Sequence, residues 1–241
     1  MESSFGNVRD TIVFNNKIYD GFGTYGEKSI HAVIKRYIEP DTDYHEVGIS
    51  GSIADICRDG MIYEIQTHSL FKLKTKLEKF LKTHRVCVVY PVVAKKTLYT
   101  IDSQTGSIIR KRTSPQKGSV YDFLPQIYGL RELLSHPSLS FRIMVITASE
   151  YRTDVKSSSH RRGEKLDTVP EELICEVRLN GTNDFIKLVP PSLPDEFGSL
   201  EFSKAASVSR SDASTSLNIL AKCNIIKKIN KKGNAFIYRI I

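Results

Sequence analysis

The chain has 241 residues, is 40% apolar, and carries a formal charge of +8 with a pI near 9.2. That length suits one medium domain, or one domain with a small satellite, and the apolar fraction is enough for a packed core. The basic excess favours polyanions, nucleic acid ahead of an anionic membrane. No stretch reaches the roughly eighteen apolar residues of a spanning helix, and the first ten residues lack a signal peptide's apolar run. A cytoplasmic protein with no membrane partner is therefore expected. Cys57, Cys87, Cys175 and Cys223 are scattered singly. Without a Cys-x-x-Cys spacing, structural zinc is not expected.

The first 25 residues read as a short hairpin around Asn15-Asn16 and a Gly-rich loop. Residues 27–38 place Ile30, Val33, Ile34 and Tyr37 on one helical face, and Pro40 stops that helix. Strand-like runs follow at 44–49, 53–57 and 61–66. A helix over 70–84 carries an apolar stripe of Leu70, Leu73, Leu77 and Leu81, ringed by lysines. Residues 86–93 form a continuous apolar run, suited to a strand buried on both faces. A second hairpin is expected over 98–102 and 107–112, its outer arm ending in Arg110, Lys111 and Arg112. A helix over 120–135, a buried strand over 141–147 and a basic loop over 150–170 come next. Residues 173–179 and 185–189 are expected to pair as a ribbon across Asn180-Gly181.

Pro190, Pro191 and Pro194 mark a boundary. Beyond it lie a short helix, a capping turn at Ser209, a second helix with the stripe Ala213, Leu217, Leu220 and Ala221, and two strands joined by a Lys- and Gly-containing turn. This tail holds eight Lys or Arg against four Asp or Glu. The domains are thus expected at 1–190 (core about 27–93, extension 94–190) and 191–241.

The chemistry concentrates in the core hairpin formed by residues 53–57 and 61–66. Asp59-Gly60 is a strong two-residue turn signal, because both positions need positive φ. Such a turn pairs Arg58 with Met61, Cys57 with Ile62, Ile56 with Tyr63, and Asp55 with Glu64. The two carboxylates then share one face, which destabilises a sheet, and burial among Ile53, Cys57 and Ile62 would aggravate this. A divalent cation between them removes the objection, and oxygen ligands suit Mg²⁺. The alternative is a solvated hairpin with two exposed carboxylates; the apolar neighbours oppose it.

With these residues the chain resembles the PD-(D/E)XK nuclease superfamily over about residues 27–93. The resemblance implies an α/β fold with a restriction-endonuclease-like αβββαβ mixed-sheet core. It implies that Asp55, Glu64 and the Ile65 carbonyl bind Mg²⁺, with Mn²⁺ as a substitute, and that Glu27 supplies a helical carboxylate. Gln66 stands where the signature has Lys. A lysine from the next helix, Lys72 or Lys76, is the alternative source of that charge. The tail resembles a winged helix-turn-helix domain, and the combined architecture is expected of a bacterial family.

The resulting expectation is a Mg²⁺-dependent DNA endonuclease acting on duplex or branched DNA. DNA contacts are expected from Arg210, Ser211, Ser214 and Thr215 on the recognition helix, from Lys231, Lys232 and Asn234 on the wing, and from Arg110, Lys111 and Arg112. A homodimer is compatible with this reading. Two alternatives stay open: a weak or inactive nuclease-fold DNA-binding regulator, which Gln66 favours, and a protein-interaction module.

Overall fold

The computed structural model describes residues 4–19, 29–155, 163–233 and 235–241. It is a mixed α/β fold. The helices are α1 (Phe5–Tyr19), α2 (Ser29–Ile38), α3 (Lys74–Phe80), α4 (Phe123–Gln126), α5 (Ser199–Ala206) and α6 (Arg210–Lys222). The strands are β1 (His45–Ile49), β2 (Ser52–Arg58), β3 (Met61–Ile65), β4 (Arg85–Ile101), β5 (Ile108–Thr113), β6 (Leu139–Thr153), β7 (Lys165–Leu179), β8 (Ile226–Lys232) and β9 (Ala235–Ile240).

Strands β1 to β7 form one sheet in the order β1-β2-β3-β4-β6-β7, with β5 paired to β4. It is mixed: β2 and β3 run antiparallel, β3 and β4 parallel, β4 and β5 antiparallel. The parallel step needs a crossover, and α3 supplies it. Residues 86–89 are all buried, as expected of a strand covered on both faces.

The chain divides into two compact units. One comprises Met1–His45, Val93–Gly118 and Met144–Cys175; the other comprises Glu46–Val92, Ser119–Ile143 and Glu176–Ile241. Strands β4, β6 and β7 pass from one into the other. In the first unit α1 and α2 pack together, with Phe5 edge-on to Tyr37. Arg9 of α1 donates to the Glu171 carboxylate at 3.0 Å. The expected hairpin at the N-terminus is therefore a helix. The i, i+3 burial of Phe5 and Val8 prevails over the Asn15-Asn16 turn signal.

The second unit has one hydrophobic cluster. Ala54, Ile62, Val86 and Val88 of the sheet meet Leu70, Leu73, Leu77 and Phe80 of the crossover. Phe123, Leu124, Ile127 and Leu130 belong to the same cluster, as do Phe202, Leu217, Leu220 and Tyr238 of the tail. The tail has the expected order of helix, turn, helix and hairpin, yet it shares the core of the sheet and crossover. Lys222 at the end of α6 also reaches Glu132, at 2.8 Å.

Four other expectations change in detail. The 70–84 helix begins as a 3₁₀ turn over Leu70–Leu73 before α3. The 120–135 helix breaks into short turns around α4, where Pro125 lacks an N–H to donate. The expected strand at 185–189 is a 3₁₀ helix over Thr182–Leu188. There Asp184 accepts from the Asn180 N–H at 2.8 Å and pairs with Lys187, and Phe185 and Leu188 are buried three apart. A three-residue turn puts both on one side. Strands β6 and β7 also extend into the expected 150–170 loop. Among the described residues no helix is long and apolar enough to cross a membrane.

Because the tail shares this core, Leu217→Ala should destabilise the second unit by about 2–5 kcal/mol. Urea unfolding followed by near-ultraviolet circular dichroism should show one shifted transition for this unit. A separate early transition of residues 191–241 would contradict the shared core.

Candidate functional site

The β2–β3 hairpin turns as its sequence requires. Asp59 and Gly60 have φ of 50° and 72°, the left-handed pair of a two-residue turn. The register is Arg58 with Met61, Cys57 with Ile62, and Ile56 with Tyr63. One step further, side chains take over from the ladder. The Asp55 N–H donates to Glu64 Oε1 at 3.2 Å, and the Ile65 N–H donates to Asp55 Oδ2 at 2.7 Å. Each carboxylate thus accepts from the backbone of the opposite strand.

Backbone alternation adds a third oxygen. The Gln66 N–H bonds to the Val89 carbonyl on β4. Ile65 therefore turns its N–H and its carbonyl the other way, toward β2 and Asp55. Two carboxylates and one carbonyl form a hard-oxygen donor set of the kind Mg²⁺ takes, with waters completing the shell. Among the described residues no cluster of three His, Cys, Asp or Glu stands ready for a metal. The residues fit a cation held by two side chains and the backbone.

The burial comes from an unexpected direction. Ile53 is 62% exposed and does not cover the pair. Ile62 and Glu64 share a face of β3, and Ile62 packs in the cluster with Leu77 and Phe80 of the crossover. Glu64 is accordingly only 1% exposed. From that same helix Lys76 Nζ donates to Glu64 Oε2 at 2.6 Å, while lying 5.6 Å from the Phe80 ring centroid. Burial pushes the Glu64 carboxyl up to about 7; the Asp55 charge adds to this and Lys76 opposes it.

Lys76, between Leu73, Leu77 and Phe80, flanks the buried stripe and so reaches the carboxylates. Lys72, one turn earlier, is exposed. Gln66 does not face the pair with its amide donor: Nε2 bonds to the Ser69 carbonyl at 3.1 Å. Glu27 and Asn234 lie outside the described residues.

The remaining predicted contacts fall on three surfaces. Ser209 caps α6 by accepting from the Asp212 N–H at 3.1 Å. Arg210, Ser211 and Ser214 are exposed on the helix's first turns, and Thr215 is half-buried. Ser214 and Thr215 donate back to the carbonyls of Arg210 and Ser211, leaving their hydroxyl oxygens as acceptors. Lys231 and Lys232 are exposed on β8. Arg110, Lys111 and Arg112 are exposed on β5 in the other unit, with Lys111 Nζ 5.4 Å from the Tyr99 ring centroid.

The molecule is thus an α/β protein with a buried carboxylate, Glu64, beside the half-buried Asp55 and a lysine from the crossover helix. It belongs to the family described as Domain of unknown function (DUF8091), which matches residues 28–180 and so takes in Asp55, Glu64 and Lys76. It is 35% identical over 139 residues to a Treponema pallidum (strain Nichols) protein described as uncharacterized. That match covers 57% of this chain and 55% of the relative, so the chain spans about half the relative's length. No solved structure matches the chain.

A Glu64 carboxyl raised to about 7 has a sign consequence. The folded state holds a proton that the unfolded state, with its ordinary carboxyl, releases at lower pH. In metal-free protein this contribution to stability is therefore lost as pH rises from about 4.5 to 7. Glu64→Gln keeps an acceptor for the Asp55 N–H and removes the like charge. It should stabilise the metal-free protein on the order of 1–3 kcal/mol more at pH 8 than at pH 5. Thermal melts in EDTA at the two pH values test this; an equal effect at both would contradict the burial argument.

Proposed function

We propose that this protein is a metal-dependent nuclease of the restriction-endonuclease-like class, hydrolysing DNA phosphodiesters under the guidance of a winged-helix tail. The observation that carries the reading is the convergence of Asp55, Glu64 and Lys76 on a parallel-crossover core. The element order α2, β1, β2, β3, α3, β4, with β3 and β4 parallel, supports the same class. The family resemblance expects a lysine at position 66. Here Lys76 brings an ammonium to the acidic pair from α3, which answers the departure at Gln66.

The roles follow from the geometry. Asp55 and Glu64, with the Ile65 carbonyl, would hold Mg²⁺ or Mn²⁺. Such an ion supplies Lewis acidity toward a phosphate oxygen and lowers the pKa of a bound water. The Lys76 ammonium lies where it can hydrogen-bond a water or a phosphate oxygen beside Glu64. Gln66 and the Ser69 carbonyl fix the turn that leads from β3 into the crossover. Phosphates are bound by the exposed cations Lys231 and Lys232, and the outer face of α6 enters a groove with Arg210 foremost.

One observation favours a second reading. Lys76 already pairs with Glu64 at 2.6 Å, and Gln66 has no usable proton affinity. A DNA-binding protein on a nuclease fold, weak or silent in cleavage, has the same arrangement.

Cleavage of plasmid and branched DNA in Mg²⁺ or Mn²⁺ separates the two. Asp55→Ala and Glu64→Ala should reduce it about 10²-fold or more, and Lys76→Ala about 10²-fold, while Lys72→Ala changes little. Equal residual cleavage in every variant would mean contamination and defeat the nuclease reading. For the tail, Lys231→Ala with Lys232→Ala should flatten the log–log salt dependence of DNA binding by up to about 2. Anisotropy titrations across salt would read this, and an unchanged slope would remove the wing from the interface.

A further inference from the structure

The β8–β9 hairpin carries an aromatic side chain that its core does not use. Phe236 is 44% exposed. Two lysines stand over its ring, Lys228 Nζ at 4.1 Å and Lys231 Nζ at 5.7 Å from the centroid. Lys228 and Lys231 are three apart, and in a regular strand they would face opposite sides. The register shifts between Lys228 and Asn230, so that Lys228 opposes Tyr238 and Lys231 opposes Phe236. This bulge puts both lysines on the face of Phe236. From 224 to the C-terminus there is no Asp or Glu.

The same face is buried at its root, where Ile226 and Tyr238 enter the cluster, and leaves it at Phe236. Strand β9 is pinned there. Phe197 and Tyr238 exchange both backbone hydrogen bonds, at 3.1 and 2.8 Å. The ring is therefore held on a rigid strand, part-exposed, with Lys228 lying over one face.

We propose that Phe236 is a stacking platform for an unpaired base, so that the nucleic acid engaged by this hairpin exposes single-stranded nucleotides. Duplex phosphates would satisfy the lysines but offer no base to the ring. An unstacked base offers a π-face to the ring and a phosphate to the ammonium groups on the same few ångströms of surface. Acidic peptides would use the charge without the ring. The inference rests on the nucleic-acid half of the proposed function and is independent of the metal chemistry.

The test is anisotropy in metal-free buffer, with a labelled single-stranded oligonucleotide and the same sequence as a blunt duplex. Phe236→Ala should weaken single-strand binding roughly 5- to 150-fold and leave duplex binding within about twofold. Phe236→Trp should retain single-strand binding. Phe236→Leu keeps apolar bulk for folding and should still lose it. If wild type binds duplex, but Phe236→Ala and Phe236→Leu affect both forms equally or neither, the platform is refuted while the nucleic-acid reading survives. If wild type binds neither form, both fall. Loss of binding to phosphatidylserine vesicles in Phe236→Ala, with single-strand affinity unchanged, would make the patch a membrane contact and refute the proposal.

Discussion

Two carboxylates facing one another across β2 and β3 set the terms for the site. Opposed like charges weaken a sheet, and removing them from water raises the cost further. The chain does not separate them; it binds them to the backbone. Asp55 accepts from Ile65 and Glu64 accepts from Asp55, so the ladder's hydrogen bonds are replaced rather than lost. Lys76 then neutralises part of the charge from the third dimension. Burial still prevails, since the Glu64 carboxyl remains raised to about 7 despite the lysine. A carboxyl that burial holds this far up ionises more readily beside a ligand of opposite sign, which is the physical ground for proposing a metal there.

What holds that arrangement is the core of the second unit. Leu73, Leu77 and Phe80 anchor the helix that carries Lys76, and Ile62 anchors the strand that carries Glu64. The tail's Phe202, Leu217 and Tyr238 belong to the same cluster. Site and tail therefore share one packing problem. A substitution in the tail's core acts on the lysine's support, and its effect on activity is not by itself a sign of contact with DNA.

The hairpin register was legible because it depends on local chemistry. Asp59 and Gly60 adopt the positive φ that their types permit, and one turn of defined length then dictates every opposed pair. The crossover helix was legible from its leucines. What was not legible depends on distant packing. Ile53 looked like cover for the carboxylates and is exposed, because the α3 layer covers the other end of that face. The choice of Lys76 over Lys72 needs the helix's seating, although its place between Leu73, Leu77 and Phe80 was a signal. At Thr182–Leu188 a turn with three-residue burial reads much like a short strand until Asp184 and Lys187 are seen to close it. The bulge in β8 left no mark in composition, yet it decides which lysines meet Phe236.

The position of Gln66 is best understood through where charge sits rather than which residue carries it. A lysine two residues beyond Glu64 would share its strand and move with it. Lys76 comes from a helix, and its ammonium is placed by the packing of Leu73, Leu77 and Phe80 against the sheet. The strand position is then released for another task, and Gln66 uses its amide to hold the Ser69 carbonyl at the start of the crossover. The amide positions the loop that leads to the helix, and the helix positions the lysine. In this arrangement residue 66 braces the start of the crossover whose helix brings Lys76 to Glu64.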